Sequence, residues 1–383
     1  MSGKKKIIRI SNIPASLNGF CKDLLKDLSK DYDIIALSSP GDYLDEIAER
    51  EGVRTIAVPI ERRLAPLKDI VTLFRLIRVF RKERPDMLHS IGHKAAILGQ
   101  FAAKLTGVKY RVHNFTGLAF PTAKGFSRYV LKKVDKFICW CSTDILPEGK
   151  GVMRDLQQNR ITSKPLRILG NGNIRGIDLD YYARTPEVVS EARKIRKDGC
   201  YTFVFVGRVV ADKGINELVE AFCRLNREIP SARLILVGDR DNGINPISPK
   251  TSETIKNNPD IYEAGLQRDV RPWYAASDCF ILPSYREGFP NSVIEAGAMG
   301  LPSIVTDING SNEIIIAGKN GLVVPPENSE ALYSAMKRMM EDNTLREGAK
   351  LCAREMVASR YDRSFVWKCL KEFYREKLGD KNN

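Results

Sequence analysis

The strongest constraint on this chain is a rhythm that runs through it twice. In the first half, short β-rich runs alternate with amphipathic stretches. KIIRIS reads as a strand, NIPASLNGF as a loop, and a helix runs through Leu24, Leu25 and Leu28. YDIIALS, the helical YLDEIAERE and VRTIAVPI follow, then a helix from about Pro66 to Arg84, DMLHSI, the helix AAILGQFAAKLTG and VKYRVHNF. The last strands of this half are expected around FICWCS and LRILGN. Near residue 200 the alternation restarts with YTFVFVG, INELVEAFCRLNRE, ARLILVG, CFILPS, SVIEAGAMG, PSIVTD and GLVVPP. Strands alternating with helices imply a parallel sheet wound on both faces. Two doubly wound α/β domains are therefore expected, 1–180 and 181–365, with the polar TPEVVSEARKIRKDG as a helical linker. Residues 366–383 are expected as a C-terminal helix crossing back to the first domain. Two such sheets would face each other across a cleft at their carboxyl ends, where folds of this kind bind ligands.

Charge separates the halves. The 383 residues carry 61 Lys and Arg against 47 Asp and Glu, a net +14. Residues 1–180 hold 32 basic and 19 acidic side chains, and the remainder 29 and 28. That asymmetry points to an anionic partner for the first half, a membrane surface or a nucleic acid. No apolar run approaches the roughly 18 residues of a membrane span. The basic start, MSGKKKIIRI, lacks the long apolar stretch of a signal peptide and is broken by Arg9. A cytoplasmic protein is expected, with its eight cysteines as free thiols. Cys139 with Cys141, and His89 with His93, read as ordinary packing, because no second ligand pair has metal spacing.

Two stretches carry the chemistry. In YREGFPNSVIEAGAMGLP, residues 285–302, a strand ends in a turn bearing Glu287, Gly288 and Pro290, and a helix begins near Asn291 or Ser292. The first N–H groups of that helix would cradle a diphosphate. Glu287 in the loop and Glu295 one turn into the helix could face one ligand from different heights. Equally, Ser292 and Glu295 fit a capping box, in which Glu295 bonds only backbone. In VFVGRVVADKGINELVEAF, Arg208 stands at a strand end and Lys213–Gly214 precede a helix. Such cations can neutralise a leaving diphosphate through charge-assisted hydrogen bonds. Taken alone they would read as a solvated surface pair; beside the helix start at 291–295 the anion site is the better reading.

GRVVADKG followed by EGFPNSVIE resembles the retaining glycosyltransferases of the GT-B fold, specifically family 4, whose Glu–x7–Glu signature matches Glu287 and Glu295. The resemblance covers most of the chain. HSIGHKAAILGQFAAKLTGVKYRVHNFTGLAF looks like the N-domain of bacterial members that build lipid-linked polysaccharide repeat units. ILGNGNIRGIDLDYY resembles the closing segment of that domain, and GLQRDVRPWYAASDCFILPSYREG the segment before the donor site. The resemblance implies that Arg208 and Lys213 bind the donor diphosphate, Glu295 the ribose and Glu287 the transferred sugar. Backbone amides around Asn291, Ser292 and Val293 would complete the cradle. Gly19, in the loop after the first strand, would let backbone approach the donor. Thr116 stands where many members carry a His, so no histidine is expected to act there. His113, three residues upstream, reads as structural on the acceptor side.

The implied reaction is retaining transfer of a sugar from a nucleotide sugar, with UDP the expected nucleotide, to a lipid-linked saccharide in bacterial surface-polysaccharide assembly. A retaining hydrolase would need two carboxylates about 5 Å apart; the family instead uses same-face attack, with the leaving phosphate helping to take the acceptor proton. No cofactor or obligatory metal is expected: Asp239–Arg240–Asp241 spells Asp-x-Asp but reads as a solvated turn opposed by its own Arg240. LKDIVTLFRLIRVFRKER sets Arg75, Arg78 and Lys82 beside Leu73, Leu76, Ile77 and Phe80; KGFSRYVLKKVDKF adds Lys132 and Lys133. Mixed basic and bulky apolar residues suit an anionic inner-leaflet surface, although the first helix alone equally fits a core stripe with a solvated face. The competing readings are a sugar-nucleotide epimerase, which would turn over the donor alone, and a nucleic-acid-binding protein. The basic stretches lack an aromatic base-stacking platform, so no nucleic acid is expected.

Overall fold

The computed structural model describes residues 4–61, 65–240, 243 and 245–379. The chain divides into two compact units: residues 1–175 with 364–383, and residues 176–363. The first division therefore lies a few residues before position 180, and the second falls at Arg363.

Unit 1 is built on β1 (Lys6–Ser11), β2 (Asp33–Ser38), β3 (Arg54–Ala57), β4 (Met87–Ile91), β5 (Tyr110–Phe115) and β6 (Asp144–Pro147). They form one parallel sheet in the order β3-β2-β1-β4-β5-β6. Unit 2 repeats the plan with β7 (Tyr201–Val206), β8 (Ala232–Val237), β9 (Ile261–Gly265), β10 (Cys279–Leu282), β11 (Ser303–Thr306) and β12 (Gly321–Val324), ordered β12-β11-β10-β7-β8-β9. Each is the strand order of a doubly wound dinucleotide-type fold, in which the chain leaves the first strand in one direction and the fourth in the other. The switch points are β1/β4 in unit 1 and β7/β10 in unit 2. β4 and β10 are wholly buried, as strands covered by helices on both faces must be.

Several local readings differ from the structure. NIPASLNGF is not a loop: a helix spans Pro14–Cys21, begun by Pro14 in its first turn and buried through Leu17 and Cys21 at i, i+4 spacing. FICWCS is not a strand but the end of the helix Gly125–Cys141, whose buried Asp135, Ile138 and Cys139 keep helical spacing. Lys164 Nζ then donates to the carbonyls of Cys139 and Ser142, satisfying the end of that helix. LRILGN forms only isolated bridges, such as Ile145 with Leu166. The strand at Ile261–Gly265, short and only half-buried at the edge of its sheet, gave no sequence pattern to recognise. The supposed linker is the helix Pro186–Ile195, which buries Val188 and Ala192 in the core of unit 2.

The C-terminal helix, Arg363–Leu378, inserts Leu370, Phe373, Tyr374 and Leu378 into the core of unit 1. Tyr374 meets a fully buried arginine there. Arg9, on β1, donates from Nη1 to the Tyr374 hydroxyl at 2.7 Å, lies 2.9 Å from His89 Nδ1, and reaches Cys21 Sγ at 3.6 Å. Burial opposes the Arg9 charge, but Tyr374 and Cys21 outweigh it and raise the guanidinium above its ordinary value. The consequence falls on His89. Burial first, and then the neighbouring Arg9 charge, hold its imidazole well below 6.5. His113, on β5 beside Ser90 Oγ at 2.9 Å, is lowered to about 3 by burial and then by His93.

Two buried neutral histidines make unit 1 acid-sensitive. Above pH 6.5 neither state binds protons at these rings; below it the unfolded rings do and the buried ones do not. Stability should therefore fall as pH drops from 6.5, by about 1.4 kcal/mol per pH unit for each histidine. Chemical denaturation between pH 7 and 4 checks this. His113→Asn should shallow the slope, and an unchanged slope would contradict the assignment.

Candidate functional site

Unit 2 sets its candidate residues on the loops leaving β7 and β10, at the switch point. After β7 the chain passes through Gly207 and the exposed Arg208 into a 3₁₀ turn, Ala211–Lys213, and then the helix Ile215–Glu228. Gly214 joins turn to helix with φ +72°, and a Cβ there would lie 2.0 Å from the Pro283 carbonyl oxygen. Only glycine permits both that dihedral and that approach. The loops are then stitched by polar groups. Tyr285 N–H donates to the Asp212 carbonyl at 2.9 Å, Ser284 Oγ to the same oxygen at 3.2 Å, and Arg286 Nη2 pairs with Asp212 Oδ2 at 3.3 Å. Within this frame Lys213 Nζ is paired with Glu287 Oε1, both side chains largely enclosed. The Tyr285 hydroxyl is pushed up by burial and by its hydrogen bond to Glu217.

The helix Asn291–Ala298 follows directly. It starts after Pro290, and no side chain caps it. Ser292 is thus the second residue of the helix and not its cap, which removes the capping-box reading. Its fit was one of spacing alone, and the helix starts two residues earlier than that box requires, with Pro290 in the cap position. Val293 is buried; Asn291 and Ser292 are partly exposed. Glu295 is 8 % exposed and accepts from the Tyr274 hydroxyl at 3.3 Å, while the same hydroxyl reaches the Ser292 carbonyl at 3.3 Å. Tyr274 had no signal in the sequence, because it lies on a different helix and its contact with Glu295 is purely tertiary. The loop after β11 closes on the same place: Gly310, φ +76°, would set a Cβ 2.4 Å from the Gly288 carbonyl. One end of one sheet therefore carries Arg208, Lys213 and an uncapped helix N-terminus, a set suited to a polyanion, with carboxylates at Glu287 and Glu295 for hydroxyl donors.

The remaining candidates fall elsewhere. Gly19 lies inside the helix Pro14–Cys21 and not in a loop, with open space around an added Cβ, so nothing in unit 1 demands glycine there. Thr116 follows β5, half-buried, and His113 is interior. Arg240 is held by both oxygens of Glu263 and by Ser252 Oγ at 2.7 Å; Asp241 lies outside the described residues. Among the described residues no three His, Cys, Asp or Glu side chains group as a metal site. On the helix Pro66–Glu83, Leu76 and Phe80 are core and Leu73 and Ile77 pack against it, so those four are not surface residues. Arg75, Arg78 and Lys82 are exposed, and the apolar residues exposed with them lie nearer the start of the helix, Leu67 and Phe74 among them. Lys133 is exposed; Lys132 is only half so.

Residues 24–172 match the profile of the glycosyl transferase 4-like domain, and residues 200–342 that of the glycosyl transferases group 1. The chain is a glycosyltransferase that joins a 4-like domain to a group 1 domain. It is 27 % identical to the capsular polysaccharide biosynthesis glycosyltransferase CapM of Staphylococcus aureus, over 90 % of each chain. It is 29 % identical to the UDP-Gal:alpha-D-GlcNAc-diphosphoundecaprenol alpha-1,3-galactosyltransferase of Escherichia coli, over 82 % of this chain and 81 % of that one. The structure of Anabaena HepE with UDP and glucose superposes with a TM-score of 0.81 at 16 % identity, covering 97 % of this chain and 99 % of that one, and the fold is GT-B. The epimerase and nucleic-acid readings gain no support from these matches. No helix among the described residues of this glycosyltransferase is long and apolar enough to cross a membrane.

Proposed function

We propose that this glycosyltransferase moves a sugar from a UDP-sugar, with retention, to a saccharide carried on a lipid diphosphate in bacterial surface-polysaccharide assembly. The observation that carries the reading is the stitched pair of loops after β7 and β10, which holds Arg208, Lys213 and the start of the helix Asn291–Ala298 at one switch point. The names of the Escherichia coli and Staphylococcus aureus relatives support the donor, the diphosphoundecaprenol acceptor and the capsule context. In this reading Arg208 and Lys213 bind the diphosphate, helped by the amides of Asn291, Ser292 and Val293. Glu295 takes the ribose hydroxyls, its carboxylate aimed by Tyr274, and Glu287 takes the transferred sugar.

Chemically, the bond from the anomeric carbon to the phosphate oxygen breaks as the acceptor oxygen bonds to the same face. The acceptor proton passes to the leaving diphosphate. Charge grows on that diphosphate in the transition state, so the cations around it carry catalysis. Glu287 prepositions the Lys213 ammonium by pairing with it in the free enzyme. Transfer needs no cofactor and no obligatory divalent metal. Lys213→Ala should lower kcat by about 10²–10³ and shrink the rise in Tm on adding UDP, while chelator leaves wild-type turnover intact. Near-wild-type turnover of the variant, or a strict metal requirement, would contradict this assignment.

The same reading assigns the basic half of the chain to the cytoplasmic face of the inner membrane as a peripheral partner. Its support is apolar exposure beside charge: Leu67 is 82 % and Phe74 66 % exposed near Arg75, Arg78 and Lys82, and Phe126 is 79 % exposed on the helix carrying Lys133. Each basic side chain adds about 1 kcal/mol at an anionic surface. The protein should float with phosphatidylglycerol vesicles and be released by high salt, with Phe74→Ser and Phe126→Ser together weakening the binding. Indifference to vesicle charge would argue for a freely dissolved acceptor.

A further inference from the structure

Unit 1 has its own switch point, at the carboxyl ends of β1 and β4, and it carries a polar pair that the transfer reading leaves unused. β4 ends at Ile91; Gly92 follows with φ +87°, and His93 opens the helix His93–Leu105. A Cβ on Gly92 would lie 3.1 Å from Asn12 Oδ1, so the loops after β1 and β4 approach closely there. The His93 ring packs edge-on against Phe115, the last residue of β5, with centroids 6.3 Å apart. Its Nε2 is buried 3.3 Å from Asp135 Oδ1, an approach outside hydrogen-bond geometry that leaves neither atom with a hydrogen-bond partner, and the side chain as a whole is 39 % exposed.

Asp135 is the unusual partner. It projects from the helix Gly125–Cys141 into the interior, is 2 % exposed, and its Oδ1 accepts no hydrogen bond within the protein's geometry. A buried carboxylate oxygen without a partner is costly, and a small turn of the half-exposed ring, with Nε2 protonated, would supply one. The neighbouring Lys94 is turned to Asp69 at 2.5 Å. With Nε2 carrying the proton toward Asp135, Nδ1 is left as an acceptor, and no side chain or backbone group among the described residues occupies it. Open α/β sheets take ligands outside the carboxyl ends of their strands at the switch point. A ring so oriented at that place presents a hydrogen-bond acceptor to whatever hydroxyl enters.

We propose that His93, oriented by Asp135, binds the acceptor hydroxyl of the saccharide in unit 1 through Nδ1. This rests on the transfer reading above. His93 receives a hydrogen bond from the hydroxyl and orients it; the proton still leaves with the diphosphate, so no bond is made or broken at the ring. Asp135 is a positioning residue: it selects the Nε2–H tautomer and touches no substrate.

Two measurements test this. Only three histidines are present, so ring-nitrogen NMR of the whole protein identifies His93 by its loss in His93→Asn. The expected state is the Nε2–H tautomer, moving toward a tautomer mixture in Asp135→Leu, which removes the acceptor. A Nδ1–H tautomer, or no change in Asp135→Leu, overturns the pairing. Kinetics then use UDP-sugars as donors and farnesyl-diphosphate-linked N-acetylglucosamine as acceptor. His93→Ala should raise acceptor KM about tenfold, the effect of losing one hydrogen bond, with UDP affinity and acceptor-free donor hydrolysis unchanged. His93→Asn, which keeps an oxygen acceptor on a short side chain, should recover part of the loss. Acceptor KM within twofold of wild type in His93→Ala overturns the role. A wild-type protein that neither binds UDP nor turns over any donor would count against the transfer reading instead, with the ring-nitrogen result still deciding the pair.

Discussion

The approach of Gly214 to the Pro283 carbonyl governs what unit 2 can do. With 2.0 Å between that oxygen and any Cβ, the turn after β7 and the loop after β10 must lie against each other, backbone to backbone. The hydrogen bonds from Ser284 and Tyr285 to the Asp212 carbonyl follow from that contact, and so does the meeting of Lys213 with Glu287 across the two loops. If a side chain stood at 214, the loops would part and the cation would lose the carboxylate that holds it. Neighbouring glycines repeat the device. Gly238 would place a Cβ 1.9 Å from the Gly207 carbonyl, and Gly310 lies over Gly288. The loops at this sheet end are packed by absent side chains, which leaves their backbone amides and few charged groups as the surface offered to a ligand.

Unit 1 uses the same sheet topology with a different interior. Its first strand carries a buried cation, Arg9, held by neutral groups, and the tyrosine that receives it arrives on the C-terminal helix. The last helix of the chain is therefore an internal part of the first unit and contributes to its core as well as to the Arg9 network. The chain enters and leaves unit 2 side by side: Ile177 N–H donates to the Tyr361 carbonyl, Arg363 N–H to the Ile177 carbonyl, and Arg363 pairs with Asp178 at 2.7 Å.

Much of this was legible in the amino-acid order because burial on both faces of a parallel sheet leaves apolar runs such as FVFV, LILV and CFIL. Arg208, Lys213, Glu287 and Glu295 were picked out by their places after such runs and by GRVVADKG followed by EGFPNSVIE. What escaped was tertiary. FICWC has strand-like composition, and only the packing of Asp135, Ile138 and Cys139 on one face makes it helix. Gly19 looked like a loop residue because Asn18 and Gly19 are poor helix formers, whereas Leu17 and Cys21 anchor a helix through them. Leu73, Leu76, Ile77 and Phe80 share a helix with exposed cations, and a helical pattern alone does not say which apolar stripe faces inward. Tyr274 against Glu295 and Asp135 against His93 join distant parts of the chain with no spacing to announce them.

If the loops after β7 and β10 and the helix start that follows hold a nucleoside diphosphate, hydrogen exchange with and without UDP will register it. Protection should rise in residues 207–214 and 284–295 and leave the edge strand Ile261–Gly265 unchanged. Protection absent from both loops, or concentrated in unit 1, would contradict the account.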